Sequence, residues 1–143
     1  MNVAAILKGK GRAVVTARPD TPLQAVAKKM STKRIGAVVV VGDNGSVAGI
    51  MSERDIIRAI SERGADCLSE QVDSFMTRQV ITCTEGDTLD QLMATMTAGR
   101  FRHIPVVDDD SLVGIVSIGD VVKHHIAEVE MEASAMRTYL VAG

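Results

Sequence analysis

Two short segments of the chain carry the same pairing of a hydroxyl with a carboxylate. Ser52 precedes Asp55 by three positions, and Ser117 precedes Asp120 by the same spacing. A serine at a helix start with an acid three residues on forms a capping box, which satisfies free backbone amides. The same pair suits ligand binding, because a helix N-terminus attracts anions and a carboxylate accepts hydrogen bonds from the vicinal hydroxyls of ribose. The residues alone leave both interpretations open, and one pair can do both.

These two segments belong to an internal repeat. The second half of the chain follows the first in register, and a single residue is lost in the turn of the second copy. The aligned pairs include 14–16 with 80–82, Leu23 with Leu89, Met30 with Met96, Arg34 with Arg100 and Asp55 with Asp120. Apolar and polar positions are preserved together, which indicates a true duplication.

Each copy predicts the order strand, helix, strand, strand, helix. The predicted strands are 13–16, 37–41 and 47–51 in the first copy, and 80–83, 104–107 and 112–116 in the second. The predicted helices begin after an N-cap at Thr21, near Thr88, at 53–63 and from Ile118 onward. One such unit cannot bury both faces of its sheet. The sequence therefore predicts an α+β (mixed α/β) fold, with tandem β-α-β-β-α repeats packed sheet to sheet as a pseudo-twofold pair.

Four segments follow from this reading. We expect an N-terminal segment over 1–11, a first repeat over 12–66, a second repeat over 75–127 and a helical extension over 128–143. The glycines and lysines of 8–11 predict a flexible N-terminal segment, and their spacing lacks the full phosphate-binding P-loop pattern. The methionine-bearing amphipathic tail is typical of a packing face against another subunit.

Composition argues against several classes of protein. The 143 residues have a net charge of −2 and only 2% aromatics, which predicts an aliphatic core and no affinity for nucleic acid or membrane. Cys67 and Cys83 lack metal-ligand spacing, so we expect small buried side chains in a reducing, cytoplasmic setting. The sequence offers no Ser-His-Asp arrangement and no metal-ligand cluster. We therefore expect no catalytic residues, no metal, no required cofactor and no enzymatic activity.

The motif Gly-Ile-Met-Ser-Glu-Arg-Asp at 49–55 and its copy Gly-Ile-Val-Ser-Ile-Gly-Asp at 114–120 resemble the signature of cystathionine-β-synthase-type domains. The segment Arg-His-Ile-Pro-Val-Val-Asp at 102–108 supports the resemblance, which extends over about residues 12–130. Two tandem copies correspond to the pair called a Bateman module. The resemblance implies a homodimer that binds AMP, ADP or ATP, or in some members NAD(H) or S-adenosylmethionine, and that regulates a separate protein.

The resemblance also implies two ligand sites of unequal composition. The site at Asp120 is expected to contain Val15, Ile35 and Gly36 around adenine, Ser117 and Asp120 at ribose, and Arg102 and His103 at phosphate. The mirrored site is expected to contain Ser52 and Asp55 at ribose, Arg54 at phosphate, and Ile81 and Phe101 at the base. Arg102 and Arg54 are also compatible with exposed surface residues, and His103 with a structural histidine.

Three hypotheses follow. The first is a sensor of AMP, ADP or ATP, and the second is a module that binds NAD(H) or another adenosyl ligand. The third is a structural dimerisation module whose Ser-x-x-Asp elements only cap helices. The regulated protein is unknown in each case.

Overall fold

The duplicated pattern folds into two β-containing halves, preceded by one helix and followed by a long one. The computed structural model describes residues 1–142, and its class is α+β, as predicted. The elements are α1 (Val3–Lys10), β1 (Thr16–Ala17), α2 (Leu23–Lys33), β2 (Ala37–Val41), β3 (Val47–Ser52), α3 (Glu53–Arg63), α4 (Leu89–Gly99), β4 (His103–Asp108), β5 (Ser111–Ser117) and α5 (Ile118–Ala142). Two 3₁₀ segments, Gly64–Ser69 and Val72–Ser74, connect the halves.

The first sheet has the order β1-β2-β3, with β1 parallel and β3 antiparallel to β2. The second sheet pairs β4 with β5 antiparallel. Both hairpins shift register at the same place, between Val40 and Val41 in one and between Val106 and Val107 in the other. The repeat thus preserves an irregularity of the backbone as well as the order of the elements.

The predicted strand over 80–83 is wrong as a full strand. Only Cys83 pairs with the second sheet, through a parallel bridge to Val106. The residues before it do not join the sheet, because Val80 and Ile81 line a cavity instead. The equivalent strand of the first repeat is also shorter than predicted and comprises Thr16 and Ala17.

The starts of the two repeat-opening helices differ. Thr88 caps α4 in a capping box with Gln91, which accepts a hydrogen bond from the Thr88 amide at 2.8 Å. The predicted cap at Thr21 is wrong, because its hydroxyl accepts from the Arg18 amide at 3.0 Å and Pro22 is the N-cap. Thr21 therefore closes the preceding turn rather than the helix.

The expectation of a flexible segment over 1–11 is also wrong. The Asn2 side chain caps α1 by accepting from the Ala5 amide at 3.1 Å. Val3, Ile6 and Leu7 are at most 1% exposed and belong to the core of the second repeat. Burial of these three apolar side chains holds the helix in place, at roughly 1.5–3 kcal/mol for each.

Segments at or just before the start of each repeat pack on the opposite repeat. Leu7, which precedes the first repeat, lies against Gly114 in the second, where an added Cβ would be 2.8 Å from its side chain. Met76, at the start of the second repeat, lies against Gly49 in the first, where an added Cβ would be 2.5 Å from the Met76 sulfur. Each repeat is therefore completed by a segment from outside it.

Two aliphatic cores result, as the composition predicts. Leu23, Val26 and Met51 are buried in the first, and Leu89, Ile104 and Val116 in the second. Both cysteines are free and buried, as expected. Burial, with a smaller contribution from Asp87, raises the pKa of Cys83 to about 12, so its thiol stays protonated at neutral pH.

Helix α5 continues far beyond the second repeat. Val121 is buried, whereas the apolar side chains after it are about half or more exposed, among them Val129, Met136 and Leu140. Gly143, the last residue of the predicted extension, lies outside the described residues. Within residues 1–142, no helix is long and apolar enough to cross a membrane.

Candidate functional site

A cavity of about 400 Å³ lies where the two halves meet, next to the start of α3. This volume is within the range typical of small-molecule sites. Most of the residues predicted for the two ligand sites line this one cavity: Gly36, Ser52, Arg54, Asp55, Ile81, Phe101, Arg102 and His103.

Asp55 is the most deeply placed charged group of the cavity wall, with 5% of its surface exposed. Its Oδ2 accepts hydrogen bonds from the Ser52 amide at 2.9 Å and the Ser52 hydroxyl at 3.0 Å. In return, the Asp55 amide donates to the Ser52 hydroxyl at 3.3 Å, which completes a capping box. The capping interpretation of this motif is therefore correct in the structure.

The second oxygen of Asp55 meets different partners. Its Oδ1 accepts from Nη2 of Arg58 at 2.6 Å and from the hydroxyl of Thr77 at 3.2 Å. Both side chains line the cavity, and that of Arg58 is 54% exposed. Oδ2 is thus committed to the helix cap, whereas Oδ1 is held by groups that can move into solvent.

Four arginines surround the cavity: Arg54, Arg58, Arg100 and Arg102. Arg54 is anchored, because its Nη1 donates to the Arg100 carbonyl at 3.1 Å. The carboxylates of Glu53 and Asp55 offset part of this charge. A guanidinium donates paired hydrogen bonds to phosphate oxygens, so the cluster suits a phosphorylated ligand.

The lining also contains apolar side chains, namely Ile50, Val80, Ile81 and Phe101. Ile81 is 50% exposed despite its size, which leaves apolar surface available to a ligand. Gly99 lets the Phe101 ring lie where it does, because an added Cβ would be 2.5 Å from Cδ1 of that ring. A partly buried aromatic ring and an exposed aliphatic side chain next to cations suit a flat base that bears a phosphate.

His103 lies beside Gly36, where an added Cβ would be 3.0 Å from Cε1 of the imidazole. Burial lowers the pKa of His103 below its usual 6.5. The nearby charges of Lys10 and Arg102 act in the same direction, while Glu53 and Asp120 oppose them. The imidazole is therefore neutral at neutral pH, and it can donate or accept a hydrogen bond without adding charge to the cavity.

The Asp120 carboxylate repeats the capping geometry at the start of α5. Its Oδ2 accepts from the Ser117 amide at 2.8 Å and the Ser117 hydroxyl at 3.0 Å. The same oxygen also accepts from Nζ of Lys10 at 2.6 Å. Burial raises the pKa of Asp120, but the hydrogen bonds from Lys10 and Ser117 outweigh it and hold the pKa below its usual value.

The cavity brings together residues that the sequence analysis assigned to two sites. Gly36, Arg102 and His103, which were expected around Asp120, line the cavity beside Asp55. Arg102 and His103 also lie next to the second motif, because the Arg102 carbonyl accepts from the Ile118 amide and His103 pairs with Ser117. Val15 and Ile35 are partly buried and pack against the first core. The sequence alone did not decide which face of the pair each of these residues would reach.

Several cavity residues escaped the sequence analysis, notably Arg58, Thr77 and Arg100. The spacing of Arg58, one helical turn after Asp55, could have indicated it. Thr77 lies at the start of the second repeat, before its first predicted strand, where no local signal marked it. Lys10 was noted only as part of a glycine-lysine run, and its contact with Asp120 depends on the folding of α1.

Comparison with known proteins supports this architecture. The CBS domain family model matches residues 11–62 and residues 72–126. A mitochondrial CBS domain-containing protein of Arabidopsis thaliana is 34% identical over 149 residues, which cover 99% of this chain and 72% of that protein. A CBS-domain-containing protein of Agrobacterium tumefaciens has a crystal structure with 47% identity and a TM-score of 0.82, covering 85% of this chain and 91% of that one.

A third relative carries a ligand. The CBS domain protein of Pyrobaculum aerophilum, whose structure is complexed with AMP, is 25% identical with a TM-score of 0.75 and covers 84% of this chain and 89% of its own. Two family matches, one in each half, account for the duplicated motifs and for the two similar hairpins. The chain belongs to the CBS domain family and contains a CBS domain pair.

Proposed function

We propose that the chain is a regulatory module that binds an adenine nucleotide (AMP, ADP or ATP) in the cavity beside Asp55. The observation that carries this proposal is the composition of the cavity wall. The wall combines a buried carboxylate, a cluster of arginines and apolar side chains, and these three features suit ribose, phosphate and base respectively.

The exchangeable oxygen of Asp55 explains how ribose would bind. Oδ2 stays with the Ser52 cap, while Oδ1 releases Arg58 or Thr77 and accepts the ribose hydroxyls instead. The released Arg58 guanidinium then remains beside the ligand as a donor to phosphate. Binding therefore replaces one charge pair with another and leaves no buried charge unpaired.

This exchange also supplies a sensing step. Arg58 belongs to α3 and Thr77 to the start of the second repeat, so the ligand changes contacts on both sides of the cavity. A partner protein that contacts either segment can distinguish the two states, provided that the ligand favours one of them. The related Pyrobaculum protein, whose structure is complexed with AMP, supports an adenine nucleotide as the ligand.

Isothermal titration calorimetry with AMP tests the proposal. Asp55→Asn keeps the side-chain shape and removes the charge, so the Kd should rise by about tenfold to a hundredfold, as expected for hydrogen bonds to a charged group. Asp120→Asn is the matched control and should leave the Kd at this cavity unchanged. Equal affinity of wild type and Asp55→Asn would contradict the proposal.

NAD(H) or another adenosyl compound is the alternative ligand, because it presents the same ribose and base. Native mass spectrometry of the purified protein identifies any compound that remains bound. A mass corresponding to AMP, ADP or ATP supports the proposal, and NAD(H) would replace it while keeping the same site.

The exposed face of α5 favours a second role, dimerisation. Apolar residues recur with alternating spacings of four and three, the seam of a coiled coil: Val122, Ile126, Val129, Ala133, Met136 and Leu140. In a parallel pair, Glu132 of one copy faces Arg137 of the other, which adds charge complementarity to the seam. We therefore propose a homodimer in which the two α5 helices associate along this face.

Light scattering after size-exclusion chromatography tests the dimer. Val129→Glu places a charge in the seam and should shift the mass toward that of a monomer. Met131→Glu is the control, because Met131 lies outside the seam on the same helix and should leave the mass unchanged. A dimeric Val129→Glu variant would show that the copies associate elsewhere.

A further inference from the structure

We propose that Lys10 acts as an intramolecular competitor for the ribose position at Asp120, so that the second ligand site is closed unless α1 releases it. This inference rests on the proposed function, because it assigns the same ribose-binding role to the second carboxylate. It goes further in giving the N-terminal helix a role in deciding which of the two sites accepts a ligand.

The Lys10 ammonium makes two specific contacts. Nζ donates to Oδ2 of Asp120 at 2.6 Å and to the Ile115 carbonyl at 2.9 Å. The Lys10 side chain is 31% exposed and that of Asp120 is 21% exposed, so the pair is partly shielded from water. A charge-assisted hydrogen bond in such surroundings is stronger than an exposed ion pair.

Thr77 contacts the first repeat in the way that Lys10 contacts the second. Thr77, at the start of the second repeat, pairs with the Ile50 backbone and donates its hydroxyl to Asp55 at 3.2 Å. In the second repeat Lys10 contacts Ile115 and Asp120, which are the equivalents of Ile50 and Asp55. A segment at or just before the start of each repeat therefore supplies a donor to the opposite carboxylate, a neutral hydroxyl in one case and a cation in the other.

The difference between a hydroxyl and an ammonium explains why the site at Asp120 is closed. A threonine hydroxyl leaves a carboxylate at little electrostatic cost, and Arg58, the cation that also pairs with Asp55, is 54% exposed and can turn into water. Lys10 is only 31% exposed, and withdrawing its ammonium separates two opposite charges that are partly shielded from water. Lys10 is also fixed at its base, because α1 is anchored through Val3, Ile6 and Leu7 in the second core. A ribose that approaches Asp120 meets a carboxylate whose Oδ2 already holds this cation, so it competes with the ammonium for the charge of that carboxylate.

The test measures AMP binding in the Asp55→Asn background, where the first site is weakened. Lys10→Met preserves the aliphatic stem and removes the ammonium. If the pair between Lys10 and Asp120 is formed in most molecules, only the remaining molecules can bind AMP at this site. Removing the ammonium should then tighten AMP binding by at least about tenfold. Lys10→Gln is a second variant with the same expectation, in case Lys10→Met perturbs α1.

Three controls assign the effect. Lys8→Met changes an exposed lysine of the same helix and should leave the affinity unchanged. Lys10→Arg retains a cation and should also give no gain. Adding Asp120→Asn to the Lys10→Met protein should abolish the gain, because the acceptor is then lost.

The outcomes separate this inference from the proposed function. If wild type binds AMP through Asp55 but neither Lys10→Met nor Lys10→Gln increases the residual affinity, the role of Lys10 is overturned alone. If wild type binds no adenine compound, both proposals fail. A gain that persists in the Asp120→Asn triple variant would also overturn the role of Lys10, because the new binding would not use that carboxylate.

Discussion

At the start of α3, the Asp55 carboxylate meets an arginine and a threonine that line a cavity, whereas at the start of α5 the Asp120 carboxylate meets Lys10. Both acids make the same three hydrogen bonds with the serine three residues earlier. Both copies of the repeat therefore keep the same helix cap, whereas the other side chains that contact the carboxylate differ between them.

The difference between the two halves shows which part of a repeated site carries specificity. The serine and aspartate are needed to begin a helix, so folding alone is sufficient reason for both copies to retain them. The other groups that contact the two carboxylates are free of that requirement. Asp55 is paired with Arg58, whose side chain is 54% exposed, and Asp120 is paired with Lys10, whose side chain is 31% exposed.

The largest expected effect is on stability. Asp55→Ala removes the acceptor of four hydrogen bonds at a buried position and leaves Arg58 without its partner, so the free energy of unfolding should fall by about 2–3 kcal/mol. Asp120→Ala, at a more exposed position, should reduce it by about 1 kcal/mol. Urea denaturation measures both, and equal losses would contradict the contrast between the two carboxylates.

The next effect concerns the charge of the ligand. Arg54→Gln should weaken ATP binding by about tenfold, because a guanidinium–phosphate contact is lost, and should leave adenosine binding nearly unchanged. Arg34→Gln is the control, since Arg34 is the repeat equivalent of the cavity residue Arg100 and has the same left-handed backbone. Calorimetry with both ligands decides, and an equal loss for adenosine would assign Arg54 to structure.

A smaller effect compares the two caps directly. Ser52→Ala and Ser117→Ala should each lower the free energy of unfolding by about 1 kcal/mol, the usual contribution of an N-cap side chain. Chemical denaturation of each variant provides the measurement. A ligand-binding loss in Ser52→Ala without a matching loss in Ser117→Ala would sharpen the difference between the sites, whereas no stability change in either would refute their role as caps.

The smallest effect depends on pH. The pKa of His103 is lowered in the folded protein, so the unfolded chain binds more protons as the pH falls below about 6.5. Stability should therefore decrease as the pH falls through this window. His103→Gln should flatten that part of the profile of unfolding free energy against pH, and an unchanged slope would show that other groups cause it.

The sequence predicted local features of the fold with accuracy. The strand Ala37–Val41 and the helix Glu53–Arg63 lie where their apolar runs and caps placed them, and the duplication itself predicted the pair. These features depend on residues close together in the chain, whose periodicity and capping groups are visible in the sequence.

What the sequence did not predict depends on distant contacts. Residues 1–11 look flexible because glycine and lysine dominate their second half. In the structure, however, the Leu7 side chain packs against Gly114, which has no side chain to exclude it. Likewise, no local pattern shows that His103 shares a cavity with Asp55. Because the two halves are similar, each such residue could lie near Asp55 or near Asp120, and the packing of distant segments determines the result.

The most direct test of the central claim is a crystal structure of the protein grown with AMP. The account predicts electron density in the cavity at the start of α3, with the ribose hydroxyls within hydrogen-bonding distance of Oδ1 of Asp55 and the phosphate near Arg54 or Arg58. AMP bound only beside Asp120, with the pair between Asp55 and Arg58 intact, would contradict it.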